Sequence, residues 1–167
     1  GMWQYEALEN FYYHLRSSDK IGMAEQLTVT GHSLGGFLAQ AFTVRHPEAV
    51  SAAYTYNAPG FSAIESMLEF MGSTSAVAQA KITNVVATDG LDFTVALGTH
   101  KLGNTVGVRI EAAPFTQPWD NHSIVPLADA LALQAVYAKL QPGLTTSHAS
   151  ALFAASARAD RRLEDAL

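Results

Sequence analysis

Two kinds of hydrophobic pattern alternate along the chain, one typical of strands and one typical of helices. Short runs rich in β-branched residues predict strands. Longer stretches with apolar residues three and four positions apart predict helices. The predicted elements, in chain order, are a helix from Trp3 to about Arg16, a strand at Gln26–Thr30, a helix from Leu34 to about Arg45, a strand at Val50–Tyr56, a helical stretch at Phe61–Met71, strands at Lys81–Thr88 and Thr105–Glu111, a helix at Ser123–Leu140 and a tail helix within 142–167.

This alternation predicts an α/β fold with a mostly parallel sheet and helices on both faces, because parallel strands need crossover connections. A length of 167 residues is typical of one domain, so a single domain is expected over 1–167. In the first helix, the spacing of Trp3, Ala7, Phe11 and Leu15 predicts a buried face, with Leu8 and Tyr12 beside it.

The composition narrows the possible functions. Apolar residues make up 49% of the chain and charged residues 15%, which is typical of a globular protein. The net charge of −5 argues against a nucleic-acid partner. No run of about twenty apolar residues predicts a transmembrane segment. The chain contains no cysteine, which excludes disulfides and thiolate chemistry.

One short stretch carries most of the chemical information. The sequence TVTGHSLGGF places Ser33 inside a G-x-S-x-G pattern, after a predicted strand and before a predicted helix. This is the pattern of a nucleophile elbow, where a strained turn exposes the serine hydroxyl and the next N–H, of Leu34, can bind an oxyanion. Gly31 and Gly35 are expected there because side chains would collide with the neighbouring strand and helix, and Gly36 would let the helix pack closely.

The stretch GHSLGG, with YNAPGF, DFTVALGTHKLG and NHSIVPLADAL after it, resembles the lipase class-three type of α/β-hydrolase over about residues 25–135. The resemblance implies a serine lipase or esterase that cleaves lipid-like carboxylic esters without a cofactor or metal. A complete fold of that type has further strands before the elbow. The chain is therefore expected to lack the N-terminal strands and to be a fragment of a larger bacterial protein, with secretion favoured over other locations.

A serine nucleophile needs a base and an orienting acid, and in this fold they follow the serine in the order acid, then histidine. His122, in WDNHSIV, fits the base. The acid lies after the strand KITNVVAT, at Asp92 or Asp89, and the resemblance favours Asp92 because LGTH follows at the matching interval. His32, next to Ser33, is expected to pack near the elbow.

Two further expectations concern what lies around this site. His14 and His46 are expected at the surface. The sheet is expected to have an uncovered edge, covered in the whole protein by an upstream segment or by an oligomer partner.

A non-catalytic hydrolase-fold module inside a larger secreted protein is the alternative to an enzyme, because no early loop that would supply a second oxyanion donor precedes the elbow.

Overall fold

Helices and strands alternate through most of the chain, as the hydrophobic pattern predicts. The structure is a computed structural model that describes residues 2–60, 76–88, 101–110, 121–145 and 148–149. Its elements are α1 (Met2–Ser17), β1 (Leu27–His32), α2 (Leu34–Arg45), β2 (Val50–Tyr56), α3 (Ala76–Ala80), β3 (Ile82–Ala87), β4 (Asn104–Val108) and α4 (Ile124–Leu140). The predicted helix at Phe61–Met71 and most of the tail lie outside the described residues.

The strands form one parallel sheet in the order β1-β2-β3-β4. After an irregularity at Leu27/Thr28, β1 pairs with β2 in register up to His32 and Tyr56. Strand β2 pairs with β3 from Ala53 and Ile82 onward. The α/β class is therefore confirmed. In the described part of the sheet β1 lies at one edge, where an uncovered edge was expected.

The chain divides into two compact units, and each is described by itself. The first unit consists of Gly1–Val86 with Phe93–Val106, and the second of Ala87–Asp92 with Gly107–Leu167. The first unit therefore contains β1, α2 and β2, which surround the G-x-S-x-G stretch. The second unit contains α4.

Helix α2 forms the centre of the first unit. It is built from small and apolar residues, and eight of its twelve residues are buried. A helix that is apolar around its whole circumference is stable only when it is covered on several sides. Helix α2 contacts β1, β2, α1 and α3. The core cluster includes Phe37, Phe42, Val50, Ala53 and Ile82.

Helix α1 packs on this core through a different face from the one predicted. Tyr5 is buried, and Leu8 and Tyr12 pack against the core. Trp3 and Phe11 are instead 87% and 59% exposed. The prediction that Trp3 and Phe11 lie on the buried face is therefore wrong. The helix is oriented so that the side of it that begins at Tyr5 faces the core.

Helix α4 begins in the second unit with a serine cap. The Ser123 hydroxyl accepts a hydrogen bond from the Val125 N–H at 3.3 Å, which satisfies one of the free N–H groups of the first turn. Pro126 lies in that first turn, where its missing N–H costs little. Leu127 and Ala130 are buried. Within the described ranges, no helix is both long and apolar enough to span a bilayer.

Candidate functional site

Ser33 occupies the single residue between β1 and α2, and its backbone is strained. Its φ is 54° and its ψ is −125°, a conformation that a residue with a side chain rarely adopts. Holding a non-glycine residue there costs on the order of 1–3 kcal/mol. The Ser33 N–H donates to the carbonyl of Tyr56 at 2.9 Å, and the Ser33 carbonyl accepts from the Phe37 N–H at 3.1 Å. These bonds hold the turn against both β2 and α2.

Two of the three glycines around Ser33 stand where no side chain fits. A Cβ on Gly31 would overlap the carbonyl group of Gly35 and lie 2.6 Å from the nitrogen of Gly36. A Cβ on Gly36 would lie 2.7 Å from the Cβ of Ala58 and 3.2 Å from the Cβ of Thr55. The expectation that Gly36 allows close packing of α2 on the sheet is confirmed.

Gly35 differs from its neighbours. A Cβ built on Gly35 meets no atom within 4 Å, so the expected collision at this position is wrong. The reason is that Gly35 is exposed on the outer side of the first turn of α2, whereas Gly36 is buried. Gly35 takes part in the elbow through its backbone, which is the group that a side chain on Gly31 would strike.

The Ser33 side chain does not cap the helix that follows it. It makes no hydrogen bond to the N–H groups of the first turn of α2. Ser123, with φ −55° and ψ 145°, does cap α4. The first N–H groups of a helix carry a partial positive charge that favours an anion. Leu34 is the first residue of α2 and is 41% exposed, so this end of the helix is accessible.

A buried polar network supports the sheet next to the elbow, and sequence reasoning missed it. The Thr55 hydroxyl donates to Oδ1 of Asn84 at 2.8 Å, joining β2 to β3. Nδ2 of Asn84 donates to the carbonyl of Leu102 at 2.6 Å. Thr55 and Asn84 are almost completely buried. The signal that could have found them is the asparagine inside the otherwise apolar strand KITNVVAT.

The turn after β2 completes this support. Asn57 has a φ of 45°, and its N–H donates to the carbonyl of Val85 at 3.0 Å. Asparagine tolerates this left-handed conformation better than most residues. The next carbonyl, of Ala58, accepts a 2.5 Å hydrogen bond from Nζ of Lys101. The side chain of Ala58 is the surface against which Gly36 packs.

The residues predicted for the triad are distributed over the chain as follows. Ser33 belongs to the first compact unit and His122 to the second. His122 is half-buried and immediately precedes Ser123, the cap of α4. Asp92 and Asp89 lie outside the described residues. The structure thus brings together Gly31, Ser33, Leu34 and Gly36, and the assignment of acid and base stays a prediction.

The other histidines divide between the surface and the interior. His14 is exposed, as expected, and His32 is half-buried at the end of β1. The surface prediction for His46 is wrong. Its Nε2 lies 2.8 Å and 2.9 Å from the two carboxylate oxygens of Glu9, and its ring stacks 4.8 Å from that of Phe42.

No group of three or more histidine, aspartate or glutamate side chains in the described part of the chain is placed to hold a metal ion. A comparison with protein-family models gives no match, and a comparison with curated proteins gives none either. The functional assignment therefore depends on the residues themselves and on the geometry of the turn that carries Ser33.

Proposed function

We propose that this chain carries the nucleophile of a serine hydrolase that cleaves carboxylic esters. The observation that supports the proposal is the backbone of Ser33, which adopts a φ of 54° between a parallel strand and a buried helix. A strained serine at this place, with two glycines whose side-chain positions are filled by backbone or core atoms, is the geometry that nucleophile elbows require.

In the proposed mechanism, His122 accepts the proton of the Ser33 hydroxyl while the oxygen attacks the ester carbonyl. Asp92 orients the imidazole and stabilises the imidazolium that forms. The Leu34 N–H donates to the oxyanion of the tetrahedral intermediate; one such donor typically contributes ~10²–10³ in rate. His122 then protonates the leaving alcohol, and water cleaves the acyl-enzyme through the same groups. Asp89 is the alternative acid.

The lipid-like nature of the ester follows from the resemblance to class-three lipases alone. A fold by itself does not determine the substrate. The proposal therefore names a reaction class first, acyl transfer from an ester to water through an acyl-serine. The lipid-like substrate is its second and more specific part.

The first experiment tests the nucleophile. The longest natural polypeptide that contains these residues is treated with a fluorophosphonate probe and assayed with p-nitrophenyl butyrate and p-nitrophenyl decanoate. We expect covalent labelling and turnover, both lost in Ser33→Ala and both kept in Ser18→Ala, at the exposed residue that follows α1. Faster turnover of the decanoyl ester supports the lipid-like substrate, and preference for the butyryl ester contradicts it.

The second experiment tests the base and the acid. His122→Ala should abolish turnover, and Asp92→Asn should lower kcat far more than Asp89→Asn does. Equal effects, or a larger effect of Asp89→Asn, would overturn the assignment of Asp92. A folded polypeptide that is neither labelled nor active would contradict the enzyme proposal as a whole. That result would favour the alternative, a non-catalytic hydrolase-fold module.

A further inference from the structure

A concave region lies in the first compact unit, away from the elbow. It is a groove of about 830 Å³ between the second half of α1 and the connection from α2 to β2. Tyr12, Tyr13 and Arg16 line it from α1, and Arg45 and His46 line it from the end of α2. Its volume falls within the range of about 300–1,000 Å³ that small-molecule sites occupy. We call it the Arg45 groove.

One wall of the Arg45 groove is held in place before any ligand arrives. Both carboxylate oxygens of Glu9 contact Nε2 of His46, and both side chains are largely shielded from solvent. The His46 ring also stacks on Tyr12, with 5.0 Å between ring centroids. A side chain fixed by packing and by contact with a carboxylate loses little conformational entropy when a ligand binds beside it.

The two arginines of the groove differ in what they contact. Arg16 is fully engaged: its Nε donates to the Tyr12 hydroxyl at 3.1 Å, and its terminal nitrogens donate to the carbonyls of Gly22 and Glu25. Arg45 is exposed, and its guanidinium makes no hydrogen bond or ion pair with the described residues. Arg45 is therefore the cation that a ligand can reach.

The remaining lining residues give the groove an apolar body and one acidic side chain. Met23 is 86% exposed and Tyr13 is 54% exposed, and Pro47 also lines the groove. Glu48 is the acidic residue of the lining. With two arginines and one glutamate, the lining carries a net positive charge in a chain of net charge −5.

We propose that the Arg45 groove binds an amphipathic carboxylate, a ligand with one anionic headgroup on an apolar chain. The carboxylate pairs with the guanidinium of Arg45, whose planar fork matches a carboxylate in a bidentate contact. The apolar chain covers Tyr13 and Met23. A single negative charge is favoured over a phosphomonoester because, of the two lining arginines, Arg45 alone keeps its guanidinium unengaged by described residues, while Glu48 repels a second charge.

The test is a titration with sodium decanoate below its micelle concentration, followed by the NMR signals of the His46 and Tyr13 rings. We expect saturable shifts of both, and an affinity about tenfold lower for decanol, which has the chain without the charge. Arg45→Gln should weaken decanoate binding by about tenfold, and Glu48→Gln should strengthen it about two- to threefold. Lys139→Gln removes an exposed cation of α4 and should change nothing.

Three results would overturn the proposal. The first is the absence of saturable shifts at His46 and Tyr13. The second is equal affinity of decanoate for the wild-type chain and for Arg45→Gln, or equal affinity for decanol and decanoate. The third is shifts confined to the amides of Leu34 and Gly35, which would place the ligand at the elbow. Because the site does not include Ser33, the result is independent of whether the chain hydrolyses esters.

Discussion

Adding one methyl group at Gly36 and at Gly35 should have opposite effects on stability, although the two glycines are neighbours in the sequence. At Gly36 the new Cβ would lie 2.7 Å from the Cβ of Ala58 and 2.8 Å from the carbonyl oxygen of Gly31. At Gly35 the new Cβ would have no neighbour within 4 Å. Both positions belong to the first turn of α2, so the helical context is matched.

The expected size of each effect follows from these distances. Carbon atoms pack best at about 3.5–4.0 Å, so Gly36→Ala would require a displacement of about 1 Å by α2 or by Ala58. Overpacking of this kind costs about 1–3 kcal/mol, more than the helix propensity that alanine gains. Gly35→Ala gains about 0.5–1 kcal/mol because alanine restricts the unfolded chain and favours the helix. The propensity gain is common to both variants, so we expect their unfolding free energies to differ by the overpacking cost, about 1–3 kcal/mol.

Urea unfolding followed by circular dichroism measures this difference, and amide hydrogen exchange in α2 reports it locally. In thermal unfolding the difference corresponds to about 2–12 °C for a chain of this size. If Gly35→Ala loses as much stability as Gly36→Ala, crowding is not the reason for the glycines of the elbow. If Gly36→Ala is as stable as the wild type, α2 does not pack on β2 as closely as the structure has it.

Three further predictions concern buried polar groups of the first unit. Gln40 is fully buried and neither amide atom is hydrogen-bonded to a described residue, so Gln40→Met should raise the unfolding free energy by about 1–3 kcal/mol in urea unfolding; a loss would contradict this. In a double-mutant cycle, Glu9→Gln and His46→Gln should show a coupling of about 1 kcal/mol in unfolding free energy. A coupling near zero would show that the contact between Glu9 and His46 does not stabilise the fold. Burial and a hydrogen bond to Glu9 raise the pKa of Tyr5 well above its usual range, so the folded state keeps this proton where the unfolded chain loses it. Stability should therefore fall as pH rises above about 10, less steeply in Tyr5→Phe, and parallel pH curves for the two proteins would refute the shift.

The sequence predicted the order of the main elements because short β-branched runs alternate along it with apolar stretches of helical length. The bounds of α2 and β2 agree with the prediction at both ends. Helix α3 was not predicted, because the five residues AVAQA at 76–80 are too short to show a helical period. The turn at Ser33 was predictable in part because the crowding at Gly31 comes from Gly35 and Gly36, four and five residues later, whereas the crowding at Gly36 also comes from Thr55 and Ala58.

Features that depend on contacts between distant residues could not be predicted in the same way. The buried face of α1 starts at Tyr5. The Tyr5 hydroxyl donates a hydrogen bond to Glu9, four residues later, and the Tyr5 ring packs in the core. A hydrophobicity pattern ranks Trp3 above Tyr5 and cannot anticipate that bond. The position of His46 likewise depends on Glu9, 37 residues earlier in the chain.

The strain at Ser33 is the part of the fold that stability alone does not explain. Among the described non-glycine residues, positive φ values occur at Asp19, Ser33 and Asn57. Aspartate and asparagine are several-fold enriched in this conformation, whereas serine is not. Glycine would adopt the Ser33 conformation without strain, and a glycine does stand at position 103, where φ is also positive at 79°. A serine at this place keeps a hydroxyl at the start of α2, where that hydroxyl does not cap the helix. Strain of about 1–3 kcal/mol persists in proteins mainly where function requires the side chain, which is the physical reason for proposing Ser33 as the nucleophile.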